Sequence, residues 1–503
     1  MGREIGVQGL GKYHFVTDPK MPIFPQSYTT LPTSFYHRES PALAKEPRLI
    51  AWNLELANSL KWEEIQPNKM SEEKLAGFFC GQDIPEEANP ISQAYAGHQF
   101  GHFTMLGDGR AILLGEVRTG DGGTLDVQWK GSGRTKFSRG GDGKATLSSM
   151  LREYIMSEAM FGLGIPTTRS LAVVATGEKV LREEVQEGAV LTRIAKSHIR
   201  VGTFEYAYHL LSIEELESLF EYTVKKHFPN CLDSGNPPLA FLEEVMKKQV
   251  SLITSWMRVG FIHGVMNTDN MSIPGETIDF GPCAFLNGYS AKRVFSSIDQ
   301  RGRYAFANQV GIAHWNLACL ANALLPLIDK DNEEAIRLAK AKLDELEDWM
   351  QESYVRMLGE KIGIPDLTSK DLPLLQTLFQ WMQDTEADYT NTFLELEGIP
   401  TFKNEIFKDN RYKDWKKSWK EELKIRKIKE EDALLLMQKT NPALVPRNHL
   451  VENALQNAKE GLLSPLKILV SRGLDPYRRE LGYKYEEEEP LGGDQGYQTF
   501  CGT

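Results

Sequence analysis

The sequence predicts an α+β chain of two lobes, a small mixed lobe before about residue 203 and a large helical lobe after it. Three observations carry this reading. Between about 104 and 200, short apolar or alternating stretches are separated by glycine-rich turns, the pattern of strands around one long helix. After 203, apolar residues recur at helical spacing in one segment after another. A polar, loop-rich stretch, Gly260–Gly288, interrupts the helices early, which places a ligand cleft where the lobes meet.

In chain order, residues 1–90 read as an N-terminal extension, irregular except for one helix within Pro41–Leu60. The small lobe spans 91–202. Ala111–Val117 (AILLGEV) is its first strand and Thr119–Gly123 its turn. Thr124–Lys130 (TLDVQWK) alternates, with Leu125, Val127 and Trp129 on one face and Asp126, Gln128 and Lys130 on the other. A glycine-rich loop, 131–143, leads to a helix over Ala145–Phe161, closed by Gly162, Gly164 and Pro166. Strands Ser170–Ala175 and Ala189–Ala195 bracket a turn at Thr176–Glu178.

The helical lobe, 203–440, shows helices at Thr203–Phe228, Pro238–Val259, Tyr304–Leu327, Asn332–Leu358 and Lys370–Met382. The charged stretch 403–431 has the spacing of a solvated amphipathic helix. Residues 441–503 read as a helical segment followed by an acidic, glycine-rich tail of flexible composition.

Composition excludes several functions. The chain has 503 residues and a net charge of -11, so no global basic field draws it to nucleic acid. Five cysteines, 80, 231, 283, 319 and 501, form no close pair, which argues against CxxC zinc ligation and a secreted disulfide framework. Met1–Lys20 carries neither an apolar signal core nor a transit pattern. The longest apolar run, Leu317–Ile328, is too short to span a bilayer and reads as a buried helix. No membrane association is expected, and a reducing compartment, the cytoplasm, is the expected location.

The chemistry lies in Gly260–Leu286 (GFIHGVMNTDNMSIPGETIDFGPCAFL). An Asn amide oxygen and a carboxylate from two neighbouring loops are the oxygen pair with which kinase-like enzymes hold magnesium. Asn270 and Asp279, the latter in Asp279-Phe280-Gly281, supply such a pair, and Pro274-Gly275-Glu276 suits the turn between them. Small-molecule kinases of this fold read His-Gly-Asp, then Asn five residues on, with that Asp as base. Counted from His263, the base position falls on Val265, which cannot take a proton. Asp269, beside Asn270, is the carboxylate near enough to substitute.

In the small lobe, Lys130 ends its strand on the polar face, and Glu153 lies among apolar residues of the following helix. A half-buried carboxylate needs a partner, and a Lys130–Glu153 pair meets that need. Gly107 and Gly109 permit close backbone approach, with Arg110 beside them as a cationic fork. Asp142-Gly143 ends the second glycine loop, and Arg193 and Arg200 add cations after the last strand. Arg110, Lys130, Arg193 and Arg200 are thus candidate neutralisers of a triphosphate. Histidines 98, 102, 198, 263 and 314 match no zinc spacing and read as structural, and Cys319 reads as core.

These motifs together resemble the selenoprotein O family of protein adenylyltransferases, kinase-like pseudokinases. The matching strings are YAGHQFG (95–101), LGDGRAILLGE (106–116), KGSGRTKFSRGGDGKA (130–145), SEAMFGLGIPTTRSL (157–171), SHIRVGTFE (197–205), HGVMNTDNMSI with DFGP (263–282), NPALVPRNHLVENAL (441–455) and the terminal YQTFCGT. The resemblance implies a bilobal protein-kinase-like fold with family-specific ends. It implies ATP as substrate, held inverted so that the α-phosphate faces a Ser, Thr or Tyr hydroxyl of a protein acceptor. Gly107, Gly109, Arg110, Lys130, Asp142, Gly143, Arg193, Arg200 and Asp279 would bind the nucleotide, and Lys130 would pair with Glu153. Asn270 and Asp279 would hold Mg2+, with Mn2+ the alternative, and Asp269 would be the base. Some members carry selenocysteine where this chain has Cys501, and Cys283 is a candidate redox partner for it.

Overall fold

The computed structural model describes residues 14–16, 24–62, 64–85, 87–120, 122–400, 405–479 and 493–500. Its centre is an antiparallel sheet of β1 (Tyr36–Arg38), β2 (Arg48–Trp52), β3 (Ile91–Gln93), β6 (Ala111–Arg118), β7 (Thr124–Lys130), β8 (Arg169–Leu181) and β9 (Val185–Ala195). The strands run in the order β1-β3-β6-β7-β9-β8-β2, with Ala145–Thr146 pairing to β9 off that path. A separate hairpin, β4 (Ala96–Gln99) and β5 (His102–Met105), reaches toward the helical lobe. β7 is central, and Lys130 at its end is opposite Ala111 of β6 and Leu191 of β9.

The alternation in β7 does what its pattern requires. Val127 and Trp129 enter an apolar cluster with Phe78 and Phe79 of α2 (Glu72–Phe79), and Leu56 of α1 (Leu54–Ser59) joins it. Gln128 and Lys130 point to the opposite face, under α3 (Leu147–Gly162). Thr146 caps α3 by accepting from the Ser149 amide at 3.3 Å. This helix is buried almost all round, so its charges must be paired. Glu158 meets Arg169 at 2.6 Å, Arg152 donates to the Cys283 carbonyl at 2.7 Å, and Glu153 meets Lys130.

The helical lobe comprises α4 (Val201–Leu210), α5 (Ile213–His227), α6 (Pro237–Val259), α7 (Gln309–Ile328), α8 (Asn332–Lys361), α9 (Leu372–Thr385), α10 (Tyr389–Leu396), α11 (Asn410–Ile425), α12 (Glu430–Thr440), α13 (Asn448–Lys459) and α14 (Ser464–Gly473). Gly260, at φ +74°, ends α6 in the left-handed conformation and turns the chain into the site loop. Phe306–Ile328, which includes α7, is long and apolar enough to cross a membrane, yet 50% of its apolar window is buried in the helical lobe. Helices α13 and α14 return to pack on α3, so the C-terminal segment braces the small lobe.

Four local expectations need correction. Pro41–Leu60 is not one helix: 48–52 pairs with β8, and only Leu54–Ser59 is helical. Sheet pairing there overrides helical spacing. Thr176–Glu178 is not a turn but a bulge inside β8, and the hairpin turns beyond it, at 182–184. Gly177 takes φ +70°, which serves a bulge as well as a turn. Thr203–Phe228 is two helices, divided where Ser212 and Glu215 form a capping box. The helix in 403–431 is not simply solvated, since Tyr412, Trp415, Trp419 and Leu423 of α11 are buried. The tail expected from 485 onward lies mostly outside the described residues.

Candidate active site

A cleft of about 820 Å³ opens between the lobes, within the range of a nucleotide-sized ligand site. Its small-lobe wall holds Gly107, Gly109, Arg110, Lys130, Asp142, Gly143, Glu153, Arg193 and Arg200, and its other wall Val265, Asp269, Asn270 and Asp279. Every predicted nucleotide, metal and base residue therefore lines one cavity.

The floor is an ionic web. Lys130 Nζ lies 2.7 Å from Glu153 Oε2 and 2.5 Å from Asp279 Oδ1. Arg193 Nη1 lies 2.7 Å from Asp279 Oδ1 and 3.3 Å from Glu153 Oε1, while its Nη2 donates to Gln128 Oε1 at 2.6 Å. Arg200 Nη1 donates to the Asp269 carbonyl at 2.9 Å and stands 3.5 Å from Asp279 Oδ2. The Arg200 guanidinium also lies 4.3 Å from the centre of the Tyr95 ring. Burial works against ionising Asp279, but Lys130, Arg193 and Arg200 hold its carboxyl well below the usual range. Asp279 itself sits at φ +63°, a strained backbone for a residue with a side chain.

The opposite wall is differently made. Asp269 Oδ1 is buried without a hydrogen-bond partner. Burial pushes the Asp269 carboxyl up to about 6, the Arg200 charge restraining the rise. Asn270 Nδ2 donates to the Val265 carbonyl at 2.9 Å, which fixes the amide and leaves Oδ1 as its metal-competent atom. With Asp279 it offers an oxygen-only donor pair, the chemistry a hard divalent cation such as Mg2+ requires. His263 does not ligate there, since its Nε2 pairs with the Ile278 carbonyl at 2.8 Å and its ring is fully buried.

The glycine loops form the roof. A Cβ on Gly107 would meet the Phe137 ring at 2.4 Å, and one on Gly143 would meet the Gly133 carbonyl at 2.0 Å. Asp142 does not point freely into the cleft: Arg182 grips its carboxylate through two 2.9 Å contacts. Cys283 is completely buried, and burial raises its thiol to about 12. Cys501 lies outside the described residues, but Thr499 Oγ1 donates to the Pro282 carbonyl at 2.6 Å, beside Cys283.

Sequence reasoning missed three features. Asp108, between the two loop glycines, is buried and accepts from the Gln93 amide at 3.1 Å and Gln128 at 3.3 Å. Its place in a Gly-Asp-Gly-Arg string was the available signal. The β4–β5 hairpin is fastened to the Asp269 loop, with the His98 amide donating to Thr268 Oγ1 at 2.9 Å. His98 also meets Glu205, an encounter for which spacing offered no signal.

A family description, Protein adenylyltransferase SelO, matches residues 23–473. The chain belongs to the SelO family. Its relatives include proteins named Protein nucleotidyltransferase YdiU. The one from Clostridium perfringens strain SM101 is 49% identical over 95% of this chain and 97% of its own length. That from Pelagibacter ubique is 46% identical over 95% and 99%, and that from Bacillus cereus strain G9842 47% over 95% and 97%. This SelO-family chain is thus an enzyme, a nucleotidyltransferase. A solved structure of ROP2 from Toxoplasma gondii, described as having a protein-kinase fold and no enzymatic activity, aligns at 10% identity and TM-score 0.24 over 66% of this chain and 87% of its own. So low a score adds nothing to the fold, which rests on the two lobes, the Lys130–Glu153 pair and the Asp279 loop.

Proposed function

We propose that the enzyme transfers AMP from ATP to a Ser, Thr or Tyr hydroxyl of a protein acceptor, releasing pyrophosphate. The observation that carries this is the exchange of roles around the base loop. Val265 occupies the position where kinases of this fold keep their base, while Asp269 lines the cleft and carries an oxygen that no described residue satisfies. A buried, unpartnered carboxylate oxygen is poised to accept a hydroxyl proton.

Lys130, Arg193 and Arg200 then bind the phosphates, with Glu153 orienting Lys130. Gly107, Gly109, Arg110 and Gly143 bring backbone and guanidinium against the nucleotide, and Asp142 acts through its hold on Arg182. Asn270 and Asp279 would hold Mg2+ or Mn2+, which supplies charge neutralisation at phosphate oxygens. The acceptor oxygen forms the new bond to the α-phosphorus, the bond to the bridging oxygen breaks, and the proton passes to Asp269 Oδ1. UTP is the variant donor, giving UMP transfer by the same residues.

Incubation with ATP labelled separately at the α and γ positions tests the reading. Acceptor protein should retain the α label and not the γ label, and Asp269→Ala should abolish retention. Retention of γ label instead would make the enzyme a phosphotransferase.

A further inference from the structure

Behind the base loop, outside the cleft described above, three side chains from distant parts of the sequence converge. His98 of β4, Glu205 of α4 and Cys319 of α7 place their donor atoms within 4.8 Å of one another. His98 Nδ1 approaches Glu205 Oε1 to 2.5 Å, and the Thr268 and Cys319 side chains also approach the carboxylate, yet Nδ1 and Oε2 are both buried without an aligned hydrogen-bond partner among the described residues. Glu205 is 1% exposed. Unsatisfied polar atoms in a native interior call for an occupant. Among the described residues, this is the cluster of three or more His, Cys, Asp or Glu side chains with metal-ligand spacing.

We propose that His98 Nδ1, Glu205 and Cys319 Sγ form a three-ligand site for a divalent ion of the zinc class, its fourth position left to water, separate from the Asn270–Asp279 pair. The donor set decides the class. Imidazole nitrogen, thiolate sulfur and carboxylate oxygen together suit zinc, whereas Mg2+ takes oxygen alone. Charge agrees, because one thiolate and one carboxylate neutralise one divalent cation in a place where neither anion is stable by itself. Thiol and carboxyl bind such an ion in their deprotonated forms, so both would release any proton they carry as it enters. A tetrahedral zinc site separates its donor atoms by about 3–4 Å, so the His98–Glu205 contact would open by about 1 Å on binding.

The surroundings supply the rest of a site. His98 and Cys319 are only partly buried, which leaves an entry path. The His98 ring is held edge-on by Trp315, at 5.1 Å between centres, and by Phe103 at 5.5 Å. The site would tie the β4–β5 hairpin to α4 and α7 directly under Thr268, the residue before Asp269. Its consequence is positional: an occupied site fixes the hairpin against the base loop.

Titration of chelator-stripped full-length protein with Co2+ tests this. The expected result is a thiolate-to-cobalt charge-transfer band that saturates at one equivalent and is displaced by Zn2+. The band should persist in Asn270→Ala/Asp279→Ala, which lacks the catalytic oxygen pair, and vanish in Cys319→Ala. Zn2+ affinity should fall at least about tenfold in Cys319→Ala and in His98→Gln. Absence of the band in the wild type, or its survival in Cys319→Ala, overturns the proposal. Cys319→Ser, nearly isosteric, gives the same readout if the alanine variant does not fold.

Discussion

The two ends of the cleft treat charge in opposite ways. At the Lys130 end, Glu153 and Asp279 are matched by Lys130, Arg193 and Arg200 through contacts of 2.5 to 3.5 Å. At the Asp269 end, a buried carboxylate oxygen has no hydrogen-bond partner among the described residues. The first end is organised before any ligand arrives, so an anionic ligand would meet cations already held in place. The second keeps an unmet hydrogen-bonding need, which an acceptor hydroxyl can fill. Charge is thus preorganised where Asp279 meets the small-lobe cations, and the unpartnered Asp269 oxygen lies apart from that web on the same helical-lobe wall.

The sharpest way to break this contrast is Asp279→Asn. It removes the anion shared by three cations and one of the two metal donors together. Transfer of α label should fall by about 10³-fold, with a lower melting temperature from the unpaired cations. A loss below tenfold would mean that the ionic end does not hold the phosphates.

Gly97→Ala probes the other end. An added Cβ would stand 2.2 Å from Asp269 Oδ1 and 2.8 Å from Leu106 Cδ1. The carboxylate must shift, and a shift of about 1 Å in a reacting group costs about 10²-fold. The loss should fall on kcat, with nucleotide affinity measured by calorimetry unchanged. An equal loss in nucleotide affinity would dissolve the distinction between the two ends.

Much of the ionic end was legible in the sequence and little of the other. Thr124–Lys130 alternates so cleanly that its strand has those same bounds, which placed Lys130 at a cleft-facing strand end. Glu153 was legible because a carboxylate among Met150, Leu151 and Tyr154 demands a partner. The Asp269 end depends instead on long-range packing. The β4–β5 hairpin is four residues per strand, too short to show alternation, and His98, Glu205 and Cys319 meet only because β4, α4 and α7 pack together. Gly177 shows the local limit: a positive-φ glycine marks a turn and a bulge alike, and only strand pairing separates them.

A smaller effect concerns stability just behind the ionic web, where Arg200 Nε donates to the His198 carbonyl at 3.1 Å. His198 is fully buried, with Nδ1 3.1 Å from Asp126 Oδ2. Burial lowers its pKa from 6.5 to about 4, the Asp126 contact opposing the shift. The unfolded chain therefore binds a proton below pH 6.5 that the folded chain refuses until about pH 4, and stability falls as pH falls through that window. His198 alone should contribute about 2 kcal/mol of loss between pH 7 and pH 5, read as the change over that window in the urea-stability difference between the wild type and His198→Gln. His198→Gln should flatten the slope over that window, and an unchanged slope would remove His198 as its source.

The smallest effect is a control that gives the Gly97 result its meaning. Gly311 lies exposed near the start of α7, and a Cβ there would meet nothing within 4 Å. Alanine lowers the entropy of the unfolded chain without strain, so Gly311→Ala should stabilise the protein by up to about 1 kcal/mol. Transfer activity should not change. The same chemical substitution then damages catalysis at 97 and helps the fold at 311, which isolates the approach to Asp269 as the cause. Equal loss of transfer in both variants would instead trace the Gly97→Ala defect to general disturbance of the helical lobe.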